Sequence, residues 1–231
     1  LPSKSQSDYL KLMAKDKNEF LNKVKEAYYS NRINQKTLSK IETICNNQAS
    51  TDNNYELKLY IENELKTSPN IFNGFKSLDL EKLQNLISYI ASKTKLYLTS
   101  LNKYLWFIDM ISYNERAVSI TGLTYVHEQY GPVIFKRKYE EISKLDEKYK
   151  REDIEKNDGS IQSIITSNGN YDLSYFNDKE LSIIDTVINL LSNKSVKEIS
   201  NLSHNELAWK NTERFEKISF EYADNLKILA Q

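Results

Sequence analysis

The chain has one cysteine, three prolines and five glycines among its 231 residues. Cys45 has no second thiol to pair with, so an internal disulfide framework of the secreted type is excluded. It stands at helical spacing from Leu38 and Ile41, where a thiol acts as a small core hydrophobe. No run approaches the roughly 18 apolar residues of a membrane-spanning helix, and no signal peptide is visible. A cytoplasmic location is the expectation. Net charge is lacking too, because 32 basic and 32 acidic residues cancel. No long-range field draws such a chain to nucleic acid or to an anionic membrane. The two histidines, His127 and His204, stand in no HExxH or other spaced ligand cluster. GxSxG, P-loop and GxGxxG patterns are absent as well. Catalysis is not expected, and neither a cofactor nor a metal is implied.

Hydrophobic content is a low 39%, but 16 Tyr and 8 Phe add area that a core can bury. A chain of this length buries about 70% of the surface its unfolded form exposes. At roughly 100–200 residues per domain, it forms one large domain or a domain with an appendage.

Residues 1 to about 66 read as four short helices. Asp16 and Glu19 have the spacing of a capping box before an apolar face of Phe20, Val24, Ala27 and Tyr28. Asn34 caps the next helix, the polar stretch Asn46–Asn54 reads as a loop, and Tyr55–Lys66 resumes a helical pattern. Thr67–Ser77 carries Pro69 and Gly74 and marks the domain boundary, giving a helical segment at 1–66, a linker at 67–78 and a main domain at 79–231. In that domain Asp79 caps one helix. A second, from about Leu101 to Tyr113, is apolar nearly all round and is therefore the buried centre of the core. Phe135 to about Arg151 reads as a charged helix, with the basic triplet Lys136-Arg137-Lys138 on a solvated face. Two turn signals, Asn157–Ser160 and Ser167–Asn170, bracket the alternation of Ile161, Ser163 and Ile165, which predicts a hairpin or three-stranded meander. Asn177 with Glu180 and Ser195 with Glu198 then open two more helices. The class is mainly α with a minor β element, an α+β arrangement.

The densest punctuation lies in Ser119–Val133, which holds two of the five glycines and one of the three prolines. Leu123 and Tyr125 alternate with Thr124 and Val126, predicting a short strand that runs into a rigid Tyr130-Gly131-Pro132 corner. Three features occur in order: the helix Leu101–Asp109, this segment, and the late pair Leu202-Ser203-His204 and Ala208-Trp209. Together they resemble the Panacea domain, the SocA-like antitoxin family also known as phage-associated protein, over roughly residues 79 to 229. The Thr121-Gly122-Leu123-x-Tyr125 and Tyr130-Gly131-Pro132-Val133 pieces are the specific part. Ile134 stands where many relatives have a second proline, and Trp106 replaces a tyrosine. Leu1–Ser7, with the helix after it, resembles the end of a helix-turn-helix domain of the MqsA-like antitoxin type. A start at Leu1-Pro2 fits a recognition helix lost upstream.

The resemblance implies an antitoxin of a bacterial toxin–antitoxin pair that neutralises a cognate toxin by direct binding. Two alternatives accompany it. One is a transcriptional autorepressor that reads DNA through an upstream helix-turn-helix. The other is an adaptor that delivers the toxin to a AAA+ protease. A homodimer is left open. The residues expected to face a partner are Tyr125, His127, Tyr130, His204 and Trp209, because tyrosine and tryptophan bring large contact area with few rotors to freeze. For His127 a role as general base or metal ligand stands beside that of a hydrogen-bonded turn residue. His204 is expected to buttress its helix with Trp209 alongside. Gly122, Gly131, Pro132 and Asp109 are read as fold-forming, Asp109 being paired with Arg116 or Lys103 because an unpaired buried carboxylate is costly.

Overall fold

A computed structural model describes residues 17–156 and 158–230. It is mainly α with a few strands, the class read from the sequence. Two compact units divide between Glu56 and Leu57.

The first unit holds helix α1 (Lys17–Tyr29), which buries Val24, and the start of helix α2 (Gln35–Leu65), which buries Leu38. Asn34 caps α2 as predicted, its Oδ1 accepting from the Thr37 amide at 2.9 Å. Of the four short helices expected up to residue 66, the first lies outside the described residues, and the two expected at 34–45 and 55–66 are joined in the single helix α2. Asn46–Asn54 is helical throughout. It contains no glycine or proline, and its Asn, Gln, Ser and Thr residues disfavour helix only weakly. The Asp16 cap, the Leu1–Ser7 segment and the Cys45 side chain lie outside the described residues.

The second unit takes up α2 at Leu57 and buries Ile61 and Leu65 in its core. The Thr67–Ser77 stretch is closely bonded within this unit. Asn73, fully buried, donates to Thr67 Oγ1 and to the Ser68 carbonyl, and Ser119 donates to the carbonyls of Gly74 and Asn73. Helix α3 (Leu80–Lys93) follows the predicted Asp79 cap. Strand β1 (Leu96–Tyr97) leads into helix α4 (Leu98–Arg116), whose residues from Leu98 to Ser112 are all buried except Thr99. This is the central helix its composition required.

The Ser119–Val133 region closes as a hairpin of β2 (Tyr125–Glu128) and β3 (Gly131–Ile134). Its glycine and proline sit inside the second strand and not at a corner after a single strand. The charged helix expected from Phe135 to Arg151 is replaced by a 3-10 turn (Phe135–Arg137), the short helix α5 (Tyr139–Ile142) and strand β4 (Tyr149–Glu155). Lys136 and Arg137 both take φ 55°, which breaks the helix at its start. Buried Tyr149 then turns β4 inward, its hydroxyl donating to the Ile142 carbonyl. Strand β5 (Ile161–Ser167) pairs antiparallel with both β4 and β1, so the sheet order is β1-β5-β4, a hairpin plus an earlier strand in place of a meander.

Helices α6 (Asp178–Leu191) and α7 (Val196–Asn205) each begin at the predicted capping box, and the one-turn helix α8 (Leu207–Lys210) follows. Glu180 ties three helices together, accepting from Lys82 Nζ at 2.7 Å and Arg116 Nη1 at 3.0 Å. Burial pushes its carboxyl up, but those two cations and the Asn177 amide outweigh it and hold it below the usual carboxylate range. Around α4 are packed β3, β5, α6, α7 and the 3-10 turn Phe220–Asn225. No helix among the described residues is long and apolar enough to cross a membrane.

Candidate partner-binding site

Asp109 fixes where the hairpin starts. It is fully buried on α4 and accepts four hydrogen bonds: Ile120 N at 2.8 Å, Thr121 N at 2.8 Å, Thr121 Oγ1 at 2.5 Å and Tyr125 Oη at 2.7 Å. The expected cation is not there. Arg116 belongs to Glu180, and Lys103 makes no salt bridge among the described residues. Burial pushes the Asp109 carboxyl up despite hydrogen bonds that favour its charge. The donors explain how a carboxylate survives without a salt bridge among the described residues, since each supplies part of the lost hydration. Tyr125 is thereby committed to the core. It is fully buried, its hydroxyl is held by Asp109, and it cannot be the partner-facing group expected of it.

Between Asp109 and the hairpin, Gly122 takes φ +76°, and a Cβ there would lie 2.6 Å from the Ser77 carbonyl carbon. In the hairpin turn neither Gln129 nor Tyr130 has positive φ, so the left-handed geometry falls on Gly131 at φ +105°. A Cβ on Gly131 would also meet Ser203 Oγ at 2.4 Å. The hairpin lies against α7 at this point, with Ser200 Oγ donating to the Tyr130 carbonyl at 2.8 Å. Pro132 faces His127 across the ladder, at a position whose N–H would point away from the partner strand. The proline therefore removes no ladder bond. Ile134 has the same outward register and donates its N–H to Asn102 Oδ1 at 3.0 Å, a bond that a second proline would forbid.

The outer edge of β2 is covered by Phe215–Ile218. Phe215 N donates to the His127 carbonyl, His127 N to the Glu216 carbonyl, and Ile218 N to the Tyr125 carbonyl. His127 is held from two sides, because its Nδ1 also lies 2.6 Å from the Thr212 carbonyl. A carbonyl only accepts, so Nδ1 carries the proton.

Three of the predicted residues come together here. The Trp209 ring lies between His127 and His204, with ring centroids 4.1 Å and 4.2 Å away. The indole Nε1 reaches the Glu128 carbonyl at 3.4 Å. His204 is pushed down by burial first, then by the charges of Lys103 and His127, so its neutral form is favoured. Tyr130, at the hairpin tip, is 70% exposed. Phe215, which the sequence reading missed, is 62% exposed and takes φ 71°, uncommon for a bulky side chain. No periodic signal marks a single aromatic in a charged loop; only the positive φ does. A rigid, main-chain-bonded platform thus presents two large aromatic side chains beside a His-Trp-His stack. Elsewhere on the unit an open groove of about 620 Å³ is lined by Glu140, Ser143, Arg151 and Asp153, but Arg151 already pairs with Glu140 and Asp153.

Residues 101–210 match the family described as antitoxin SocA-like, Panacea domain. That segment runs from α4 through α8 and contains Asp109, the hairpin, His204 and Trp209. No curated protein and no solved structure matches the chain.

Proposed function

With residues 101–210 as a Panacea domain of the SocA-like antitoxin type, we propose that the chain neutralises a cognate protein toxin by binding it directly, without catalysis. The family match fits an antitoxin role in general, and such a role calls for a protein partner. Direct occlusion through the hairpin face is the further step taken here. One observation carries it: Tyr130 and Phe215 both stand exposed on held backbone, Phe215 donating its N–H to the His127 carbonyl and the Tyr130 carbonyl accepting from Ser200 Oγ. Large apolar side chains on a fixed backbone lose little entropy on binding and are the residue types that dominate interface energetics. The balanced charge of the chain favours the same reading over one based on phosphate contacts.

Co-expression with the toxin encoded beside it tests the proposal. Growth is expected to be rescued, and a complex is expected to survive size-exclusion chromatography. Replacing Tyr130 and Phe215 together by Ala is expected to cost about 2 kcal/mol or more of affinity, the scale of an interface hot spot. Absence of both rescue and complex sinks the proposal.

A further inference from the structure

Among the described residues Lys103 forms no ion pair, and His204 Nε2 forms no hydrogen bond. Lys103 lies on α4 with 4% of its surface exposed, and no salt bridge reaches it among the described residues. His204 Nε2 is buried with no hydrogen-bond partner. The two groups are neighbours. A Cβ on Gly131 would sit 2.9 Å from Lys103 Cε and 2.4 Å from Ser203 Oγ, and the Lys103 charge acts on the adjoining His204 ring. The buried acids of this unit are otherwise engaged. Glu206 accepts from the amides of Lys227 and Ile228, Glu180 holds Lys82 and Arg116, and Asp109 takes its four donors. Burial lowers Lys103 only to about 8, which leaves it cationic at neutral pH.

We propose that Lys103 and His204 form a receptor for one carboxylate, presented by an Asp or Glu side chain of the protein partner. This rests on the protein-binding reading above and adds the chemistry that the partner must supply. A cation held away from water attracts an anion far more strongly than an exposed one does. Its ammonium and a neutral imidazole Nε2–H offer one donor to each carboxylate oxygen, a charge-assisted arrangement. A phosphate would bring a charge of about −1.5 to −2 and three acceptor oxygens, more than these two groups satisfy. Lys103 keeps 4% of its surface exposed, and Tyr130 stands on the hairpin whose Gly131 lies against Lys103, where it can pack against the residue that carries the carboxylate.

Titrating the full chain with sodium acetate, followed by nitrogen NMR of the imidazoles, tests the assignment. The His204 signal is expected to move saturably, with a Kd of roughly 1–10 mM. Lys103→Met is expected to weaken acetate by about tenfold or more while melting no lower than the wild type, because it removes a buried unpaired charge. Should that variant fail to fold, Lys103→Gln, which also removes the charge and keeps the His204 signal, serves in its place. No saturable shift, an equal shift in the variant, or inorganic phosphate binding about tenfold tighter than acetate overturns the receptor. The acetate arm needs no toxin, so its failure leaves the neutralisation reading standing. Where toxin capture is seen, Lys103→Met is expected to weaken it by about 30-fold or more, and unchanged capture overturns the receptor alone.

Discussion

Residues at the His-Trp-His stack are held in states that cost the fold something. His204 is kept neutral by burial and by the nearby charges of Lys103 and His127. In the unfolded chain an imidazole titrates near its ordinary value, about 6.5. As pH falls below that value the unfolded state takes up a proton that the folded state resists, so the stability His204 contributes is present above about 6.5 and lost on acidification. Asp109 and Glu206 are pushed up by burial and act in the opposite direction, so the His204 part is isolated by comparing variants. Melting temperature between pH 7.5 and 5.5 is expected to fall less in His204→Gln than in the wild type, by a margin on the order of one degree or more. Equal slopes would show that the ring titrates as if free. His204 and Trp209 were legible in the sequence as a packed pair, because the motif places them five residues apart at the end of a helix. Lys103 was legible only as a possible partner for Asp109. Burial and hydrogen bonding decide which cation meets which acid, and sequence spacing carries neither.

Among the elements, the Asp109 contacts determine how the hairpin is attached to α4. Asp109→Ala would leave two buried backbone amides and two hydroxyls without their acceptor. At about 1–3 kcal/mol for each unsatisfied buried group, the variant is expected to lose at least about 3 kcal/mol, read as a lower denaturation midpoint at unchanged m-value. A loss under about 1 kcal/mol would mean that water replaces the carboxylate. The helices with caps were readable in advance, since Asp79, Asn177 and Ser195 each announce a start through a side chain that satisfies free amides. Two elements were not. Asn46–Asn54 has the composition of a loop but lacks the glycine or proline that would end a helix. Residues 135–151 have the charge density of a solvated helix and carry Phe135, Tyr139, Ile142, Leu145 and Tyr149 at helical spacing, yet the left-handed turn at Lys136 and Arg137 breaks that helix and the chain goes on into β4.

For the whole molecule, the unit division at Glu56 and Leu57 and the core membership of Ile61, Leu65 and Leu78 bear on where the second unit can be cut. A fragment of residues 57–231 is expected to melt cooperatively. A fragment of 79–231, which drops those three side chains and the buried Asn73, is expected to lose several kcal/mol at about 2–5 kcal/mol per large core side chain removed. Circular dichroism of the two fragments decides it, and equal melting curves would show that residues 57–78 add nothing. The hairpin has a consequence for recognition as well. One of its edges is occupied by Phe215–Ile218, and the other is closed by Asn102 and the proline. A partner that binds by extending a sheet meets an occupied edge on one side and, on the other, an edge where Pro132 has no N–H and that of Ile134 is taken. Recognition at this face must then be written in side chains standing on a closed backbone. Such a surface can change its partner by substitution at Tyr130 or Phe215 while every main-chain bond beneath it stays in place.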